Sequence, residues 1–221
     1  MKTEYLRAAI AVIGLGSAAL ANATVLLPGS GPLAVDILSA APGGTVLTSE
    51  AVEVTTPHWS GTLRSAVVQA GTSLDFYYQI TNAASSSDSL ARVTGSDFIG
   101  GFTTNVFQTA TAFDGFVTGT QVASSGDRDL LGVVGFNFSP GTSGTGKVDP
   151  GESSNILIIR TNATQFQNGF TGIVDGTATT VATFMPAGSP PIVGPIPEPG
   201  TMALLGSGLI ALGGLARKRN K

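Results

Sequence analysis

The chain has 221 residues, no cysteine, and a net charge of −3. Disulfides, thiol catalysis, Cys-ligated zinc and iron–sulfur chemistry are therefore excluded. Only 11% of residues are charged while Gly is frequent, a composition that suits strands and turns without many salt bridges.

The first seven residues carry Lys2 and Arg7 against Glu4, and residues 8–20 are uncharged and apolar. Ala21-Asn22-Ala23 then supplies the small-x-small pattern a signal peptidase accepts, with Ala21 and Ala23 as the two small residues before the cut. The apolar run is too short for a convincing permanent span. Residues 1–23 therefore read as a secretory signal peptide, and the mature chain is expected to begin at Thr24.

Residues 24–185 are long enough for one domain with a sizeable core. Residues 24–44 look irregular, with a first strand near 33–38. Residues 46–56, 62–69 and 74–81 read as strands. In the last, Phe76, Tyr78 and Ile80 alternate with Tyr77, Gln79 and Thr81, as a half-buried strand requires. Residues 130–138 and 155–160 are almost continuously apolar and read as central strands covered on both faces. A hairpin is expected around Asp175-Gly176, joining residues 173–175 to 177–185. Residues 83–89, 124–129 and 139–151 read as loops, and one helical turn is allowed near 162–167. The expected fold class is all-β, an antiparallel β-sandwich.

Between residues 24 and 196 five basic residues face twelve acids, leaving −7. Such a surface repels nucleic acid, so no nucleic-acid partner is expected. His58 is the only histidine and adjoins the only tryptophan, Trp59. With no Gly-x-Ser-x-Gly elbow, the pair is read as a strand-end aromatic beside an exposed histidine rather than a triad base. Asp127-Arg128-Asp129 and Asp149-Pro150-Gly151-Glu152 lack the spaced pattern of a calcium loop. They are read as turn-forming acids with a local salt bridge to Arg128 or Lys147. No catalytic residue, cofactor or metal site is expected, and the chain is read as a non-enzyme. Were the domain a carbohydrate-binding or adhesive module, Trp59, Tyr77 and Tyr78 would be its centre.

Residues 186–196 form a Pro-rich linker, a semi-rigid spacer of ~35 Å at about 3.1 Å per residue. Pro197-Glu198-Pro199-Gly200 follows, then an uncharged Gly-rich apolar run over residues 201–216 and the basic end Arg217, Lys218, Arg219, Asn220, Lys221. As a helix the run reaches only ~24 Å against a hydrocarbon core of ~30 Å, a short transmembrane span. The basic end is expected to stay cytoplasmic and to fix topology.

This three-part ending resembles the PEP-CTERM sorting signal of Gram-negative bacteria. The resemblance implies that Pro197, Glu198, Pro199 and Gly200 are read by a membrane-embedded processing enzyme, an exosortase, while residues 201–216 sit transiently in the inner membrane. It further implies an exported protein of the cell surface or extracellular matrix, linked to exopolysaccharide and biofilm. The strand at residues 75–82 and the turn Pro150-Gly151-Glu152-Ser153 resemble, more loosely, other ectodomains bearing that signal. This second likeness implies a β-sandwich and no activity.

Overall fold

The computed structural model describes residues 24–99, 101–138 and 146–189. In chain order the strands are β1 (Thr24–Val25), β2 (Ser30–Leu33), β3 (Asp36–Leu38), β4 (Thr45–Thr55), β5 (Ser60–Ala70), β6 (Ser73–Asn82) and β7 (Arg92–Gly95). They continue as β8 (Thr104–Thr109), β9 (Ser125–Arg128), β10 (Val134–Asn137), β11 (Ile156–Thr161), β12 (Gln165–Val174) and β13 (Ala178–Ala187). There is no helix among the described residues. The expected span over residues 201–216 and the linker beyond Ser189 lie outside them.

Two sheets form. One runs β1-β8-β11-β6-β5-β4, and the other β13-β12-β7-β10-β9-β2. All pairs are antiparallel except β3, which lies parallel to β8 beside the end of β1. The chain reaches that place by leaving the first sheet after β1, pairing β2 with β9 in the second, and returning.

The longest ladders rest on local turn chemistry. Gly71 supplies the positive φ (+66°) that a two-residue hairpin loop needs, and β5 then pairs with β6 from Ala70↔Ser73 to Gly61↔Asn82. The expected hairpin at Asp175-Gly176 forms as a three-residue loop, with the Asp175 carboxylate accepting from the Thr177 amide at 2.9 Å. That hairpin is longer than expected. Gln165–Gln167 continues β12 where a helical turn was allowed, and β13 runs on through Pro186 to Ala187.

The inner faces of the two sheets share one core. Leu63, Phe76, Tyr78, Ile80 and Ile159 from the first meet Val93, Phe136, Ile173 and Phe184 from the second. Full burial of each such side chain stabilises by about 1.5–3 kcal/mol. A second, smaller core covers the outer face of the first sheet, where Tyr77, Ile156 and Ile158 pack under Phe107 and Phe116. The expectation of a half-buried β6 is thus corrected: both of its alternating faces are covered. The cover is a two-residue turn, Phe113-Asp114-Gly115-Phe116, with positive φ at Asp114 (40°) and Gly115 (84°). It sets both phenylalanine rings against Tyr77, at 5.6 and 6.2 Å between centroids.

Three further expectations are corrected. Residues 124–129, read as a loop, contain β9. Of the central strand expected over 130–138, only β10 forms, and Leu130 and Leu131 stand in an exposed turn before it. β7 and β8 are strands that the sequence pattern did not reveal.

Candidate functional site

Alternation along β9 splits the Asp127-Arg128-Asp129 triplet. Asp127 points to the outer face of its sheet, where Arg92 of β7 donates to both carboxylate oxygens, at 2.5 and 2.6 Å. Asn137 of β10 donates to the same group at 2.8 Å. Arg92 lies across Gly135, where a side chain would collide with the guanidinium. Burial raises the Asp127 pKa, but the hydrogen bonds from Arg92 and Asn137, with the charge of Arg92, outweigh it and hold the carboxyl below its ordinary value. Its oxygens are taken up by these donors. The expected local partner, Arg128, is not the one used.

Arg128 instead points inward and is buried. It donates to the carbonyls of Leu26, Phe98 and Phe102 and to the Thr104 hydroxyl. Burial lowers its pKa, with Asp129 opposing. Asp129 turns away and accepts from the Val133 amide. The second acidic pair also serves a turn: the Glu152 carboxylate accepts from the Asp149 amide at 3.0 Å, and Ser89 donates to Asp149. Neither acid pairs with Lys147. Among the described residues no cluster of three or more His, Asp or Glu could hold a metal ion.

At the β4–β5 turn, the Thr56 hydroxyl accepts from the amides of His58 and Trp59. This drives the indole into the inter-sheet core and leaves His58 outside, its Nδ1 3.8 Å from Asp88. The nearby hydroxyls of Ser86 and Ser87 donate to backbone carbonyls of Ser60 and His58, not to the imidazole. Trp59, Tyr77 and Tyr78 are all buried, so none offers the open ring face that a sugar would stack on. The centre expected for a carbohydrate-binding module is corrected accordingly.

On the outer face of the first sheet the half-buried Arg160 donates to both oxygens of the buried Asp75. Burial raises the Asp75 pKa more than Arg160 lowers it, so removing this carboxylate from water costs more than its partner returns. Further along the same face, past Tyr77, Glu53, Thr62, Arg64, Gln79 and Thr81 line a 350 Å³ cleft under Gly115 and Val117. Arg64 and Phe116 are in cation–π contact at 6.0 Å. The buried Gln79 is held by Val117 and Ser154.

Ala21 and Ala23 lie outside the described residues, as do Pro197, Glu198, Pro199, Gly200, Arg217, Lys218, Arg219 and Lys221. The Arg92–Asp127–Asn137 network and the buried Arg128 were missed in the sequence. Only the alternation of side chains along β9 could have signalled them.

Comparison with known families places the PEP-CTERM protein-sorting motif at residues 195–219. Neither the curated proteins nor the solved structures contain a match to the chain.

Proposed function

We propose that this chain, which carries a PEP-CTERM sorting signal, is exported, processed by an exosortase, and delivered as a folded domain to the cell surface or extracellular matrix. The match at residues 195–219 carries this reading. Signal peptidase cuts after Ala23, and Pro197, Glu198, Pro199 and Gly200 are the element the exosortase recognises. Residues 201–216 hold the precursor in the inner membrane, and Arg217, Lys218, Arg219 and Lys221 keep the end cytoplasmic. The mature domain acts without catalysis, in association with exopolysaccharide. Two features of the domain support this order of events. Its last described strand ends at Ala187, ahead of the sorting motif, so the proposed C-terminal cut spares the described sheets. With no cysteine, it needs no oxidation after export.

Glu198 is the only charge between Asp175 and Arg217. Pro197 and Pro199 lack amide donors and are unsuited to a helix interior. The test is Glu198→Gln beside Pro197→Ala in the native host. A sorting signal predicts unprocessed precursor in the inner membrane, whereas normal maturation of both variants overturns the reading in favour of a plain C-terminal anchor.

A further inference from the structure

The two ends of the sandwich differ in chemistry. At one end stand His58, Ser85, Ser86, Ser87, Asp88 and the Asp175–Thr177 loop. At the other, three connections place large apolar side chains in water: Leu130 is 79% exposed, Leu131 75%, Leu27 66% and Ile99 48%. The ladders put these connections together, because Ser30 pairs with Arg128, Arg128 with Val134, and Val134 with Gly95.

Nothing in the fold requires leucine there. The Asp129–Val133 turn closes through the Asp129 amide to the Val133 carbonyl and the Val133 amide to the Asp129 carboxylate. The Leu27–Ser30 turn closes through the Ser30 amide to the Leu27 carbonyl, with positive φ at Gly29 (80°). Leu130 rests on Gly29, and Ile99 on Gly132. Beneath all three connections the buried Arg128 guanidinium bonds to Leu26, Phe98, Phe102 and Thr104, so the apolar groups stand on a fixed platform. Contiguous exposed apolar side chains on a rigid base mark a contact surface.

The chain itself identifies what covers it. β13 ends at Ala187 opposite Gln165, the first residue of β12, and hence at this same end. Gly188 follows with positive φ (74°), and residues 189–200 lead straight to the uncharged run 201–216. Twelve extended residues reach at most ~37 Å at about 3.1 Å each. That distance limits how far the domain can stand off and sets no minimum. Asp127, paired with Arg92, shares the hollow of Leu130 and Leu131 with Asp129 and the buried Arg128, and Asp97 lies beside Ile99, so the acids outside that pair disfavour anionic headgroups.

We propose that, in the membrane-held precursor, the Leu27–Leu130–Leu131 end docks on the zwitterionic lipid surface of the bilayer that holds residues 201–216. Leu130 and Leu131 enter the interface as apolar anchors. This rests on the reading of residues 201–216 as a span. Docking fixes how the domain sits above the bilayer and therefore how residues 189–200 are presented for processing.

The cysteine-free chain permits a direct test. Full-length Leu131→Cys and Ser85→Cys, each labelled with one fluorophore, are reconstituted into phosphatidylcholine vesicles carrying a headgroup nitroxide lipid. Quenching is expected to be severalfold stronger at position 131 than at 85, and to weaken when Leu130→Ser is added or when phosphatidylglycerol replaces part of the lipid. Equal quenching at both sites, in chain that floats with the vesicles, overturns the docking and leaves the span intact. Chain that does not float overturns both. Quenching at 131 that ignores Leu130→Ser belongs to the fluorophore and overturns the docking. Energy transfer between labelled copies at this end, without lipid quenching, overturns it in favour of an interface between copies.

Discussion

The hydroxyl of Tyr78, on β6, donates to the carbonyl of Phe184, on β13, at 2.9 Å across the gap between the two sheets. Both groups are buried, and burial pushes the Tyr78 hydroxyl well above its ordinary pKa, keeping it a donor at any physiological pH. The bond joins residues 106 positions apart, in the hairpin that ends the described chain and the central strand of the first sheet. Tyr78→Phe keeps the ring and orphans the carbonyl. The expected loss is about 1–3 kcal/mol of folding stability, read as a lower urea midpoint with an unchanged far-ultraviolet circular dichroism spectrum.

That measurement presumes a domain that stands alone. Residues 24–189 contain every described strand and no cysteine. The isolated segment is expected to be soluble, to show a β-dominated circular dichroism spectrum, and to unfold at the same urea concentration with or without reductant. A helical spectrum, or a reductant-dependent midpoint, would contradict the two-sheet architecture.

The Asp127 carboxyl gives the domain a signed response to acid. Its folded pKa lies below the ordinary 3.8 because Arg92 and Asn137 hold the ionised form. The stability it contributes is complete above the unfolded pKa and is lost as pH falls from there through the folded value. Asp75 acts oppositely: its raised folded pKa makes its contribution fall as pH rises above 3.8. Asp127→Asn should therefore flatten the loss of stability on the acid side of about pH 4. Urea midpoints measured from pH 2.5 to pH 6 would reveal it, and an unchanged acid slope would show that Arg92 does not depend on that charge.

Where the local pattern carries the whole signal, the fold was legible in the sequence. The alternation of β6, the long β4 and the Asp175-Gly176 hairpin follow from period two and turn chemistry. What failed did so for tertiary reasons. β8 carries Thr104, Gln108 and Thr109 on buried positions, and Gln108 is held by Ala123, fifteen residues on, together with Val35 and Asn155. No local rule reveals such a bond. β9 reads Ser-Gly-Asp-Arg, a loop by composition, and becomes a strand because Arg128 finds three carbonyls in two distant connections, β1–β2 and β7–β8. Leu130 and Leu131 look like core and are not, since apolarity alone does not distinguish a core from a contact surface. The second cover over Tyr77 comes from the Phe113–Phe116 turn, 36 residues away at its start. The sorting signal was the most legible feature of all. Its order of prolines, carboxylate, apolar run and basic end is written in sequence and requires no tertiary contact to recognise.

Intact-mass analysis of the protein recovered from its native host is the sharpest test of exosortase-dependent processing of an exported domain. The expected product is a chain that begins at Thr24 and lacks residues 201–221, with the cut falling near Pro197-Glu198-Pro199-Gly200. A mature mass that still includes residues 201–221 would contradict it.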